Sequence, residues 1–165
     1  MTAMAPIDPT TFRAALGRFA SGVTVLTTRA ADGTDLGMTA TAFTSVSLAP
    51  PLILVCVDHD ASAVPALTIG AAFAVHILAE SQTALSRRFA SIETDRFAGL
   101  AIVRGLNEVP LLDGTLARLE CRVTATYPGG DHRIVVGEVH EATLGEAGPL
   151  LYFRGGYGRL TPTTD

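Results

Sequence analysis

The sequence predicts a mainly β domain with short helices (α+β), built as a closed or partly closed antiparallel barrel. Three observations lead there. Apolar and polar residues alternate along extended segments, most clearly where Leu119, Cys121, Val123 and Ala125 interleave with Glu120, Arg122, Thr124 and Thr126. Turn signals punctuate those segments, at Asp32-Gly33, Ala49-Pro50-Pro51 and Pro128-Gly129-Gly130-Asp131. Strands do not alternate with helices, and no GxGxxG follows a strand, so a doubly wound dinucleotide-binding sheet is not indicated.

In chain order, Asp8 caps a helix with Pro9 at its first position, Phe12, Ala15, Leu16 and Phe19 form its apolar face, and Gly22 ends it. Val23 to Thr28 is a β-branched strand, and Asp32-Gly33 turns it into the next. That next segment, from Gly37, organises the rest. Read as one strand, it puts Thr39, Thr41, Phe43, Ser45 and Ser47 on one face, and Met38, Ala40, Ala42, Val46 and Leu48 on the other, with Thr44 the exception. Prolines 50 and 51 stop it. Leu52 to Val57 then runs apolar on both faces, as a strand buried on both sides does. A hydroxyl-lined strand beside a dry one makes a wall for a polar, planar ligand, although Thr and Ser also favour half-exposed strands for their own sake.

After a polar corner at His59 to Ser62, Ser62 caps a short helix through Leu67, and Gly70 stops it. Ala72 to Leu78 is the next strand, and His76 within it reads as a hydrogen-bonded core residue. Ser81 caps a helix through Phe89, with Ala84, Leu85 and Phe89 inward. Residues 91–114 are irregular. Leu116–Tyr127 and His132–Thr143 form a long hairpin, Leu150–Phe153 is a last short strand, Arg154 to Arg159 is a glycine-rich close, and the tail TPTTD is frayed. The count is six or seven strands in one domain, 1–165.

Composition narrows the partners. Net charge is −4 and there is no lysine, so neither nucleic acid nor an anionic membrane surface is an expected partner. The chain is 48% hydrophobic and 17% charged, which leaves too little polar surface to cover a small domain, so a second copy of the chain is expected to cover part of it. Its start carries no charged and apolar leader pattern, and a cytoplasmic location is expected. Cys56 and Cys121 sit in apolar strands and form no metal motif, so both read as reduced structural thiols and no metal site is expected.

Four stretches in order resemble a known family, the flavin reductases with an FMN-binding split barrel: GMTATAFTSVSLAPPLILVCVD (37–58), LSRRFA (85–90), GDHRIVVGEV (130–139) and YFRGGYG (152–158). These are the small reductase components of two-component, flavin-diffusible monooxygenases. The resemblance implies a split, Greek-key antiparallel barrel, a homodimer with a flavin at each subunit interface, and hydride transfer from NADH or NADPH to FMN or FAD. It also implies a partner flavin-dependent monooxygenase that receives the reduced flavin. The flavin contacts it implies are Thr39, Ala40, Thr41, Ser45, Val46, Ser47, Cys56, Asp58, Ser62, Ser86, Arg88 and Phe89, with Ser86 and Arg88 on the phosphate. His132 is the expected catalytic residue, beside the nicotinamide with Arg154, Gly156 and Tyr157. One departure stands out: Thr41 and Ala42 occupy positions where the family often has Asn and Ser. A flavin-retaining oxidase of the same fold, or a flavin- or haem-binding module without turnover, remains an alternative at this stage.

Overall fold

The computed structural model describes residues 5–161 and 163. Of the tail expected to fray, 161–165, residues 162, 164 and 165 lie outside the described residues. Helix α1, Pro9–Leu16, begins as its sequence dictates: the Asp8 carboxylate accepts from the Thr10 and Thr11 amides, both at 3.0 Å. It ends at Gly17 rather than Gly22, which instead lies in the two-residue strand β1, Ser21–Gly22.

Strands β2 (Thr24–Arg29) and β3 (Asp35–Ala40) form the expected hairpin, pairing Thr24 with Ala40 and Arg29 with Asp35. The predicted hydroxyl strand is not continuous. It is cut at Thr41-Ala42 into β3 and β4 (Phe43–Leu48), which pair with different neighbours. Strand β5, Pro51–Asp58, follows; Pro51 is its first residue, where a missing N–H is tolerated. The strand is not buried on both sides: Ile53, Val55 and Val57 are buried, while Leu52, Leu54 and Cys56 on the opposite face are only half-buried.

The Ser62 side chain caps nothing; a single 3-10 turn, Val64–Ala66, replaces the short helix because Pro65 removes an amide from it. Strand β6 is Ala72–Ile77. Helix α2, Thr83–Ala90, starts at Gln82 with no side-chain cap, and Ser81 plays no capping part. Its buried residues are Ser86 and Phe89; Leu85 is half-buried and Ala84 is exposed, contrary to the sequence reading. The stretch read as irregular holds a small hairpin, β7 (Ile102–Arg104) with β8 (Pro110–Leu112). Strands β9 (Ala117–Gly129) and β10 (His132–Leu144) make the long hairpin, whose turn is only Gly130-Asp131. Strand β11, Leu150–Phe153, turns through Arg154 and Gly155, both at positive φ, into β12, Gly156–Arg159. Positive φ at both central residues is the two-residue hairpin turn that matches strand twist, so the glycine-rich close is a hairpin rather than a loop.

Seven strands run antiparallel in the order β3-β2-β6-β9-β10-β5-β4. Laid flat, the outer two would stand about 29 Å apart, at roughly 4.8 Å per strand. Yet Thr41 and Ala42 alone connect them, and the chain from Ala40 to Phe43 reaches at most about 11 Å. The sheet therefore curls until its two edges come together at Thr41-Ala42, and the Cys56 amide, donating to the Ala42 carbonyl at 2.9 Å, carries the β4–β5 ladder up to that point. Strands β5 and β6 are consecutive in sequence but separated by the β9–β10 hairpin in space, as in a Greek key.

The barrel interior is apolar, with Leu26, Val55, Val57, Phe73, Val75, Cys121 and Val135 all fully buried. Burial pushes the Cys121 thiol up to about 12, so it stays protonated and inert. Outside the barrel, Val23, Val25, Leu78, Phe89, Leu112 and Leu150 form a second core between β2, α2 and the three-stranded sheet β1-β11-β12. His76 belongs to this outer layer, fully buried as the sequence suggested. Its Nδ1 lies 3.1 Å from the Val25 carbonyl, and its Nε2 accepts from the Leu112 amide at 3.0 Å. Glu120 points out of the barrel yet is 6% exposed, because the segment before β8 covers it and the Leu106 amide donates to its carboxylate at 2.8 Å.

Candidate flavin and nicotinamide site

Cross-strand partners share a face, so the registers show where each hydroxyl points. Thr39 pairs with Val25 on the outside of the barrel, beneath α2. Ser45 pairs with Ile53, whose face is the inner one. Val46 is the extra residue of a bulge between Ser45 and Ser47, and the bulge turns Ser47 onto the outer face with Leu52. The predicted single row of hydroxyls is thus three short pieces: Thr39 outside, Ser45 inside, Ser47 outside again. Strict alternation could not reveal the seam or the bulge. What the two interruptions create is two free strand edges, since β3 and β4 are the outer strands of the seven. Each carries unpaired backbone donors and acceptors beside the seam.

Helix α2 lies directly on β3. A Cβ at Gly37 would meet the Phe89 ring at 2.6 Å, so only glycine fits there. The Thr39 hydroxyl donates to the Ser86 carbonyl at 2.6 Å, fixing the helix to the strand. Ser86 is fully buried, and its Oγ lies 2.9 Å from the Tyr157 hydroxyl on β12. Thr39, Thr41, Ser86, Ala90, Tyr152 and Tyr157 together line a cleft of about 220 Å³. The two tyrosine rings meet edge to face, 5.5 Å between centroids at 67°. The Arg87 guanidinium sits over Tyr157, 5.6 Å from the ring centre. The cleft offers an aromatic wall, hydroxyls and a cation, which suits a planar, polar, anionic ligand.

The other predicted residues fall elsewhere. Ala40 is buried in the barrel core and Phe89 in the outer core, where it packs edge-on against Phe97 at 5.0 Å; neither side chain is open to a ligand. Arg88 donates to the Asp95 and Ala98 carbonyls of the loop that follows α2, away from the cleft. Ser62 is exposed and lines a separate hollow of about 220 Å³ with Gly37, Thr94 and Arg96. Asp58 and His132 are register partners at the end of β5 and β10. His132 Nδ1 lies 2.7 Å from Asp131 Oδ1, which leaves Nε2 free. The hydrogen bond from His132, its charge and that of His59 hold the Asp131 carboxyl below the usual range. His140 is exposed, as expected of a residue late in a strand. Arg154 is exposed in the β11–β12 turn with its guanidinium over Phe153, its amide donating to the Gly17 carbonyl at 2.8 Å; Gly156 is exposed beside it.

Sequence reasoning missed Tyr152, Arg87 and Arg96. Helical spacing held a clue to the second: with Phe89 inward, Ala90 and Arg87 flank Ser86 on the side away from Arg88. Arg96, in the DRF segment, donates to the Gly37 carbonyl at 2.7 Å and also to that of Ser91. Among the described residues no group of His, Cys, Asp or Glu is placed to hold a metal, and no helix is long and apolar enough to cross a membrane.

A curled antiparallel barrel with an open seam and a cleft outside it defines the split-barrel class, and comparison with solved structures agrees. An NADH:FAD oxidoreductase from Streptomyces globisporus, solved with NAD and FAD fragments, superposes with a TM-score of 0.88 at 38% identity, over 98% of this chain and 100% of that one. The flavin reductase PheA2 superposes at 0.83 with 36% identity, over 94% of this chain and 100% of that one. Residues 16–161 match the model of the flavin reductase like domain, and the chain belongs to that family. It is 49% identical to the reductase component of 4-hydroxyphenylacetate 3-monooxygenase from Thermus thermophilus, over 90% of this chain and 95% of the relative. An FMN reductase (NADH) from Agrobacterium fabrum is 42% identical over 91% of this chain and 85% of its own length.

Proposed function

We propose that this protein is an NADH:flavin oxidoreductase that reduces FMN or FAD and hands the reduced flavin to a partner monooxygenase. The observation that carries this reading is the match to a reductase component along 95% of that relative's length. The Agrobacterium fabrum and Streptomyces globisporus relatives are both NADH enzymes by name, which supports NADH over NADPH.

The residues present fit a flavin. The free edges of β3 and β4 supply fixed backbone donors, and Thr41 and Ser47 add hydroxyls on the outer side, with Thr39 held to Ser86 and the backbone of Ala40, Ser45, Val46 and Cys56 beside them. When bound, the flavin supplies a hydride acceptor whose pyrimidine edge gains negative charge, and fixed donors favour that charge. Arg87 offers a guanidinium group for phosphate, whereas Arg88 and Arg96 are both held by backbone carbonyls. His132, oriented by Asp131, presents Nε2 to the nicotinamide, and Arg154, Gly156 and Tyr157 form the other flank. Alignment of the two reacting carbons, more than proton transfer, is what these residues contribute.

The active form in this reading is a homodimer. Helix α1 has no buried residue, and Phe12, Leu16 and Phe19 are 51%, 59% and 80% exposed. Apolar side chains displayed that openly on one short helix and the turn after it are a face for a second copy. A cytoplasmic location accords with two reduced thiols. The test is NADH oxidation by the purified protein with FMN, FAD or no added flavin. Saturable dependence on free flavin is expected; NADH oxidation that never occurs with any flavin would refute the reading.

A further inference from the structure

Resemblance assigns Ser86 to the flavin phosphate and Tyr157 to the nicotinamide, yet the two touch. The Ser86 side chain is fully buried, and its Oγ is engaged with the Tyr157 hydroxyl at 2.9 Å. A hydroxyl with no exposure and a partner already in place is not presented to a phosphate. The same residue's carbonyl accepts from Thr39 at 2.6 Å. One residue of α2 therefore joins β3 to β12, the two elements that face each other across the cleft. Tyr157 gains from this a fixed ring plane: Ser86 holds its hydroxyl, Tyr152 meets it edge-on at 5.5 Å, and Arg87 lies over one face.

We propose that Ser86 is a positioning residue for Tyr157, and that Tyr157 is a wall of the slot that takes the planar ring of the flavin, not a contact of the nicotinamide alone. The cleft itself argues for the flavin: Tyr157 lines it together with Thr39 and Thr41, on either side of the point where β3 gives way to the seam. The proposal rests on the flavin reductase reading. It moves the phosphate contact off Ser86 and gives Ser86 an effect that does not depend on a phosphate. A hydrogen bond of this kind contributes modestly, so its loss should weaken flavin binding roughly three- to tenfold.

The test is equilibrium binding of FMN and of riboflavin, followed by flavin fluorescence without nicotinamide, to the wild type, Ser86→Ala, Tyr157→Phe and the double variant. Tyr157→Phe keeps the ring and its packing, so it guards against simple misfolding. Both single variants should lose affinity for both flavins by the same factor, and the double variant should lose no more than either alone, because the two hydroxyls form one bond. Tyr157→Leu, which removes the ring, should lose more for both flavins. A loss for Ser86→Ala confined to FMN would make Ser86 a phosphate ligand and overturn the proposal. Additive losses, or unchanged binding of both flavins, would overturn it too. A wild-type protein that binds neither flavin would refute the underlying functional reading instead.

Discussion

Helices α1 and α2 have eight residues each, and they are held in opposite ways. Helix α1 has a side-chain cap and no buried residue; α2 has no side-chain cap and buries Ser86 and Phe89. A helix this short is not stable alone in water, so each needs more than its own backbone bonds. Helix α2 obtains it from the second core, with Phe89 against Gly37 and Phe97. Helix α1 shows Phe12 and Leu16 to solvent, and the turn after it is tied to the body by the Arg154 amide, which donates to the Gly17 carbonyl. The contrast separates a helix packed into the domain from one whose apolar face is open, the face that the proposed homodimer would cover.

Phe89→Ala should be the largest blow. It empties a fully packed site and costs about 3–5 kcal/mol, enough to lower the melting temperature by many degrees and to release α2 from β3. Calorimetry would check this; a variant as stable as the wild type would mean that α2 is held by something other than its core.

Next in size is acid sensitivity of the layer beneath α2. His76 is pushed down to about 4, chiefly by burial, so it folds neutral. Its folded value lies below the unfolded one of about 6.5, so the stabilisation is present above pH 6.5 and is lost as pH falls toward 4. The full span is on the order of 3 kcal/mol. Urea titrations at several pH values should show stability falling through that window, and His76→Gln should flatten the fall. An equal slope in the variant would assign the acid sensitivity to carboxylates.

The smallest change in the fold itself is expected at α1. Leu16→Asp puts a charge on a residue that is 59% exposed, so the monomer's stability should hardly move. The dimer should dissociate, and sedimentation would detect it. A variant that stays dimeric would place the interface elsewhere, the half-buried outer face of β5 being the next candidate.

The two helices also show what the sequence could reveal. The α1 cap was readable because Asp8 acts on amides two and three residues away and Pro9 beside it fits the first helical position. The turns at Asp32-Gly33 and Gly130-Asp131 were readable for the same local reason, as was the core role of His76. The seam at Thr41-Ala42 was not, because it depends on which distant strand each half pairs with. The bulge at Val46 was equally hidden and moves Ser47 to the opposite face. The sharing of one cleft by Ser86 and Tyr157, 71 positions apart, is a product of tertiary packing alone. Family resemblance supplied the flavin and the nicotinamide; it did not show which of the two adjacent arginines faces Tyr157.

The most direct test of the account is whether reduced flavin leaves the protein. The purified protein, NADH and FMN are placed on one side of a membrane that passes flavin but not protein, under low oxygen, with cytochrome c on the other side. The account predicts cytochrome c reduction that requires added flavin and saturates with it, at about micromolar concentration for binding near −8 kcal/mol. Full NADH oxidation from a flavin that stays with the protein, with cytochrome c unreduced across the membrane, would contradict it.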